Sequence, residues 1–398
     1  MLELPLFVVL LSLAGFCLKL QNQLRTLRKQ KSTIVFVDKE GNKREVNPLS
    51  HSCQNPNCKL YGKKGKGNIK KRKIYGICKD KLLLICTGCG KDFSETRGTA
   101  FFNKKKPIAK IINIVKYLSE GGEIRKAGRI FKVSKDTVIA YLKAASKKAR
   151  LINNLHNNMK FAFLQFDELW SFIFKKDKNL KEGEEQTKGS FWGYISYAFK
   201  HRFIVDIHNG KHNEEETIKF VEKQKKFIDI EHYVLIMSDG LKFYLTALFK
   251  VFGQVISYKV PKGSFEIVLP KTLLYGQVIK KRENGVVVDI VYKMLNGYRV
   301  AFEEMLKLAG CKNITTSLIE RVNLSLRHLT GRFRRKGMGF SKCISNHEDA
   351  LAFFQAVYNY ATSNRGLKGS ITPAMSVGLS KRVWTIEDIL RFQPDAAS

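Results

Sequence analysis

The sequence predicts a multidomain α+β protein, and three observations carry that reading. Five cysteines fall within 37 residues, Cys53 to Cys89; residues 107 to 150 show helical periodicity; and from about residue 160 short apolar strands alternate with helices. At roughly 150 residues per domain, 398 residues make two or three domains. A hydrophobic content of 44% and a charged content of 27% are those of a globular chain, which excludes a wholly disordered, collagen-like or polytopic membrane protein. The charge is unusual. There are 71 Lys and Arg against 35 Asp and Glu, a net +36. Such an excess favours a polyanionic partner, nucleic acid ahead of an anionic membrane surface.

Leu4 to Leu18 is a mostly apolar run of 15 residues, shorter than the about 20 of a spanning helix. It lacks the basic leader and cleavage site of a secretory signal. Three readings stay open: a membrane tether, a buried helix, or translated upstream sequence. Lys19, Arg25, Arg28, Lys29 and Lys31 follow it, so insertion would leave the remainder cytoplasmic. The expected location is cytoplasmic and associated with the nucleoid. A linker is expected over residues 21–50.

Clustered cysteines in a chain of this kind read as metal ligands rather than disulfides. Cys53 with Cys58, and Cys86 with Cys89, are two close pairs, each able to present two thiolates to one tetrahedral Zn²⁺. Lys73–Cys78 and Lys81–Cys86 read as a hairpin between them, which makes residues 51–95 a zinc ribbon. The first spacing is wide, and Cys78 or His51 is an alternative member.

After Pro107, the residues Ile108, Ile111, Ile112, Val115 and Leu118 mark one apolar helix face that ends at Gly121 and Gly122. A short helix over about Glu123–Phe131, a turn at Lys132 and Val133, and a third helix capped by Ser134 complete the pattern. A tight turn before a capped basic helix describes a helix-turn-helix, so residues 96–150 are expected to bind DNA. Lys135, Thr137, Tyr141 and Lys143 face away from that helix's apolar side. Residues 51 to 150 hold 26 Lys and Arg against 6 acids. A second basic run, Arg321, Arg332, Arg334 and Arg335 with Arg327 and Lys336, contains no acid and is a further candidate for DNA contact.

From Lys160 the texture is that of strands: Phe161–Phe166, Leu169–Phe174, Phe191–Ala198 and Phe203–Ile207. A helix over Glu214–Phe227, a strand over His232–Met237 and a helix over Leu241–Val251 follow. That order predicts a mixed α/β layer of the ribonuclease-H kind over residues 155–365, with an insertion at about 263–310. Helices over Thr315–Leu329 and Glu348–Thr362 close it, and residues 366–398 read as a tail.

Three acids stand where burial normally forbids them. Asp167 ends an apolar strand, Asp239 ends another before Gly240, and Glu320 lies among Leu318, Ile319, Val322 and Leu324. Acids at strand ends border the crevice where α/β folds bind ligands. Together the three make a carboxylate set for Mg²⁺ or Mn²⁺, hard cations distinct from a thiolate-bound zinc. Arg327 is two helical turns beyond Glu320 and could hold a phosphate beside the metals. Glu168 points to the opposite sheet face from Asp167 if the strand continues, and Asp206 is a reserve ligand.

The motifs Cys86–Thr99 (CTGCGKDFSETRGT), Phe166–Ser171 (FDELWS), Ser238–Gly240 (SDG), Ile319–Arg327 (IERVNLSLR), Gly339–Lys342 (GFSK) and Thr372–Met375 with Trp384 occur in the order found in transposases of bacterial insertion sequences. The chain resembles those of the insertion-sequence-one type over about residues 51–390. That resemblance implies a DDE recombinase with Asp167, Asp239 and Glu320 as metal ligands. It also implies a ribbon and helix-turn-helix that read terminal inverted repeats, and a homo-oligomer that brings two ends together. Such enzymes nick the 3′ ends with water, then use the freed 3′-OH to attack target DNA. The apolar N-terminus and the 81 residues from Asp239 to Glu320 depart from the pattern. Two other readings are a non-catalytic DNA-binding regulator and a ribonuclease-H-like nuclease that cuts without joining.

Overall fold

A computed structural model describes residues 33–257, 265–334 and 337–394. The described residues form two compact units, one of residues 33–111 with 393–394 and one within residues 112–392. The apolar run Leu4–Leu18 and Arg335 lie outside the described residues. No helix among the described residues is long and apolar enough to cross a membrane.

In the first unit, strands β1 (Ile34–Val37) and β2 (Lys43–Val46) form an antiparallel hairpin. Strands β3 (Ile69–Tyr75), β4 (Lys81–Cys86) and β5 (Asp92–Ser94) form a three-stranded antiparallel sheet in that order. Phe36 and Val46 share a core with Ile69, Leu82, Leu84, Phe93 and three of the cysteines. The expected linker over 21–50 is therefore corrected for residues 34–46. Alternation in so short a pair is easily overlooked, but it buries Phe36, Arg44 and Val46 while leaving Val35 and Val37 exposed.

Helix α1 (Ile108–Ser119) leads to α2 (Ile124–Ile130) and α3 (Lys135–Asn153). Ser134 caps α3 as expected, its hydroxyl accepting from the Thr137 N–H at 3.1 Å. Both α2 and α3 belong to the second unit, so the domain boundary expected near residue 150 is not found. The physical reason is α3's second face. Ala145, Ser146, Ala149 and Ile152 are fully buried, and α3 lies against helix α8 (Ile344–Ala356). Ser146 Oγ donates to the Asp349 carbonyl at 2.7 Å, and Arg150 meets the Asp349 carboxylate at 2.6 Å.

The rest of the second unit is a six-stranded mixed sheet between helices. Strands β6 (Phe163–Ile173), β7 (Gly189–Ala198) and β8 (Phe203–Gly210) are antiparallel neighbours. On the other side of β6 come β9 (Val234–Asp239), parallel to it, and β12 (Leu273–Glu283), parallel to β9. Strand β13 (Val286–Asn296) pairs antiparallel with β12 and ends the sheet. This order is compatible with a ribonuclease-H-like fold. A separate hairpin, β10 (Gln254–Ser257) and β11 (Phe265–Val268), precedes β12.

On one face, Leu169, Ile195, Leu235, Met237 and Val278 pack against helices α6 (Arg299–Ala309), α7 (Ser317–Leu329) and α8. On the other, Phe166 meets Phe220 of α4 (Glu214–Gln224) and Tyr244 of α5 (Lys242–Phe252), with ring centroids 5.2 and 5.8 Å apart.

Three expectations are revised. The two strands expected at 161–166 and 169–174 are one, because the Asp167-Glu168 pair that divides the apolar run keeps extended backbone. The insertion expected at 263–310 contains a core strand. Leu273, Leu274 and Tyr275 of β12 are fully buried, whereas the charged second half of that strand masks the pattern. The expected tail at 366–398 packs into the second unit as far as residue 392. Its Trp384 ring lies 4.7 Å from Tyr360, and Ile389 and Leu390 of the short helix Ile386–Arg391 are fully buried.

Candidate metal centres and nucleic-acid surfaces

Strand pairing builds the carboxylate site. Phe166 is the last β6 residue to pair with β9, opposite Ser238. Asp167 therefore comes where β9 stops, next to Asp239, the final residue of β9. Beyond that point no strand pairs with that edge of β6 until Ile173 bridges Ser341. Asp167 Oδ2 accepts from the Asn323 amide of α7 at 2.8 Å, and Asp239 Oδ1 accepts from the Leu241 N–H at 3.1 Å.

Glu168 corrects an expectation. Alternation puts its Cβ on the face opposite Asp167, yet oxygens of Asp167, Glu168 and Asp239 all lie within 4.8 Å of one another. The long side chain and the open edge explain this, since two neighbours on opposite faces can converge where no strand lies between them. Tyr244 donates to Glu168 Oε2 at 3.0 Å, and His212 Nε2 is 3.6 Å from Oε1. The signal in the sequence was the Asp-Glu pair itself, which strict alternation set aside.

Glu320 stands at the margin. It ion-pairs with Lys280 and accepts from Thr316 Oγ1 at 2.7 Å, and it does not join the three converging acids. Burial raises its proton affinity, but those two hydrogen bonds outweigh burial and hold it below the ordinary range. Asp206, the reserve ligand, lies on β8, two strands away, and its Oδ2 accepts from Gln224 at 3.4 Å.

Burial, then the charge of Asp239, pushes the Asp167 pKa up to about 8, with Glu320 adding to the effect. Burial, then Asp239 and Asp167, brings Glu168 to about 8. Asp239 is raised as well, first by burial. Carboxylates crowded so closely hold protons unless a cation compensates their charge. Hard oxygen donors of this kind fit Mg²⁺ or Mn²⁺.

In the first unit, Cys53 Sγ is 3.6 Å from Cys89 Sγ, and Cys58 Sγ is 4.0 Å from Cys86 Sγ. Zn–S bonds of about 2.3 Å in a tetrahedron set sulfurs about 3.8 Å apart, so this set could hold zinc. Asn68 donates to Cys86 Sγ at 3.1 Å and the Leu60 N–H to Cys58 Sγ at 3.4 Å, contacts that suit thiolates. Gly90 takes the left-handed conformation at φ 68° and lets its N–H turn back to the Cys86 carbonyl at 2.8 Å. Hydrogen bonding, led by the Lys91 N–H, lowers the Cys89 thiol to about 7, while burial raises Cys53 to about 12. Cys78 lies apart, its Sγ 3.8 Å from Glu40. His51 is not in the cluster.

The basic candidates divide. Lys135 and Lys143 are exposed on α3 and Thr137 is half-buried. Tyr141 is a correction: it is 4% exposed. A helix packed on two sides turns this position inward, which the assumption of a single apolar stripe missed. Arg321 and Arg334 are exposed. Arg332 is half-buried, and burial lowers its pKa. Arg327, Arg332 and Arg334 line a cavity of about 410 Å³ with Trp170, Phe172 and Phe340, and among the described residues no acid borders it. Trp170 lies three residues beyond Asp167, about 10 Å along an extended strand. Arg332 also borders a cavity of about 760 Å³ with Arg125, Lys126, Arg129, Lys135 and Lys342.

No protein-family model and no curated protein matches the chain. Among solved structures it matches one described as "Mos1 transposase paired-end complex with left transposon end" at 12% identity, over 37% of this chain and 58% of that one, with a TM-score of 0.14. The match thus spans little more than half of that chain.

Proposed function

We propose that the protein is a metal-dependent DNA strand-cleaving and strand-joining enzyme, a transposase acting on the terminal inverted repeats of an insertion sequence. The observation that carries the reading is the convergence of Asp167, Glu168 and Asp239 where β9 ends, with Glu320 close enough to raise both aspartates. Two bound Mg²⁺ ions would activate the attacking oxygen and stabilise the leaving one.

The chain's own residues do the rest. Asn323 orients Asp167, Tyr244 orients Glu168, and Lys280 holds Glu320 beside them. Arg327 and Trp170 give the approaching strand a cation and an aromatic face. The helices α1 to α3 act as a helix-turn-helix and the cysteine unit as a zinc ribbon, both engaging the repeats, while the exposed arginines hold target DNA. Bringing two ends together requires an oligomer.

The test is an assay on duplexes carrying the inverted repeats that flank the gene, read for cut ends and joined products. In Mg²⁺, Glu168→Gln and Glu320→Gln are each expected to lose at least about a hundredfold in rate, as removal of several kcal/mol of charge stabilisation requires. A variant within a few-fold of wild type removes that acid from the site. A second reading, a DNA-binding regulator without catalysis, is favoured by the Lys280–Glu320 ion pair, which engages the acid expected as a third ligand. Specific binding with no cutting by wild type would establish it. Cut ends without joined products would indicate a nuclease.

A further inference from the structure

The outer edge of β13 has no strand beside it among the described residues. The strand is 11 residues long and exposed nearly throughout. Ile290, Tyr292 and Met294 make an exposed apolar row on one of its faces, and Val286, Val287, Val288 and Leu295, next to the two register shifts, are exposed as well. A long apolar edge is a template for another strand, and natural sheets block such edges with lysines, prolines or bulges. β13 has no proline and a single lysine, its only charged residues are Asp289 and Lys293, and its two register shifts, at Val288 and Leu295, leave Asp289 to Met294 regular.

Those two charges are placed symmetrically. Val291 is the middle residue of the strand, with Asp289 two positions before it and Lys293 two positions after. Antiparallel pairing of two copies about an axis through Val291 opposes Val286 to Asn296, Val287 to Leu295, Val288 to Met294 and Ile290 to Tyr292. The five central residues, Asp289 to Lys293, lie between the two register shifts and pair without interruption. Each Asp289 then faces Lys293 of the partner subunit, and the pair occurs twice. Moving the register by one residue sets Asp289 against Tyr292 or Met294 instead. The register with the most pairing is thus also the one that matches charge, and opposite-charge cross-strand pairs are stabilising. Lys281 of β12 already flanks Asp289 on its inner side at 2.8 Å, so the partner's lysine would be a second cation beside that carboxylate.

We infer that β13 is the seam of a homodimer in which two copies of this chain join their sheets edge to edge, in register about Val291. The seam needs neither metal nor DNA, so its failure and the failure of the catalytic reading are separable.

The full-length protein, free of DNA, is measured by sedimentation equilibrium. Wild type is expected to be a dimer. Lys293→Asp sets like charges opposite each other and should weaken the dimer at least tenfold. Adding Asp289→Lys restores the complement and should restore association. As a positional check in a Cys343→Ser background, Val291→Cys lies opposite itself across the axis, within disulfide reach. It should give a reducible covalent dimer under mild oxidation. Val288→Cys, separated from its own copy by six positions, or about 20 Å of strand, should not. A monomeric wild type overturns the inference. So does a dimer indifferent to Lys293→Asp, or cross-linking no stronger for Val291→Cys than for Val288→Cys.

Discussion

Asp239→Asn is expected to lower cleavage of the inverted-repeat ends by at least about a thousandfold, because removing a metal-binding carboxylate forfeits several kcal/mol of charge stabilisation. Binding of the same DNA should stay within a few-fold of wild type. The fold should survive, since an asparagine Oδ1 can still accept from the Leu241 N–H that Asp239 engages at 3.1 Å. The substitution also removes a charge that pushes Asp167 and Glu168 up, and so relieves crowding. Parallel gel-shift and cleavage measurements check this. Cleavage by Asp239→Asn within tenfold of wild type would take Asp239 out of the site.

The second large effect concerns the cysteines. Cys86 is fully buried, in a core that has six buried apolar side chains besides the cysteines. Zinc sites of this kind supply about 10–16 kcal/mol of binding energy that is also folding energy. A zinc-selective chelator, or Cys86→Ser, should therefore unfold residues 34–94 of the full chain and abolish recognition of the ends. Hydrogen exchange resolved by mass spectrometry gives the readout: amides of β3 and β4 should lose protection while those of β6 and β9 keep theirs. One zinc per chain should be released. Unchanged protection in β3 and β4 after metal removal would make the four thiols structural bystanders.

The sequence revealed the elements more reliably than their partners. Ser134 as a cap, the strands ending at Asp239 and Ala198, and the pairing of Cys53 and Cys58 with Cys86 and Cys89 follow from local patterns that the fold leaves undisturbed. What escaped depends on contacts distant in sequence. Tyr141 faces inward because α3 packs on two sides. Glu168 joins Asp167 because β6–β9 pairing ends at Phe166, which leaves both acids beyond the ladder. Lys280 reaches Glu320 because the second half of β12 continues a core strand through charged residues, a continuation that composition disguises as an insertion. In each case a neighbouring element overrides the period of the local sequence.

The most direct test of the carboxylate site is calorimetric titration of the zinc-loaded protein with Mn²⁺ near pH 7, repeated in buffers of different ionisation enthalpy. Asp167 and Glu168, both raised to about 8, hold protons there in the metal-free protein, and a cation must displace them. The same shifts fix the sign of the stability change. A folded-state pKa above the unfolded one gives stability that is present at low pH and lost as pH rises through about 8. The contribution of these two acids to the melting of the metal-free protein should therefore fall as pH rises from 4.5 to about 8, and Mn²⁺ should offset the trend. Saturable Mn²⁺ binding with net proton release is expected in wild type, and loss of both in Asp239→Asn. Binding without proton release, or binding of equal strength in Asp239→Asn, would place the metal elsewhere than on these carboxylates.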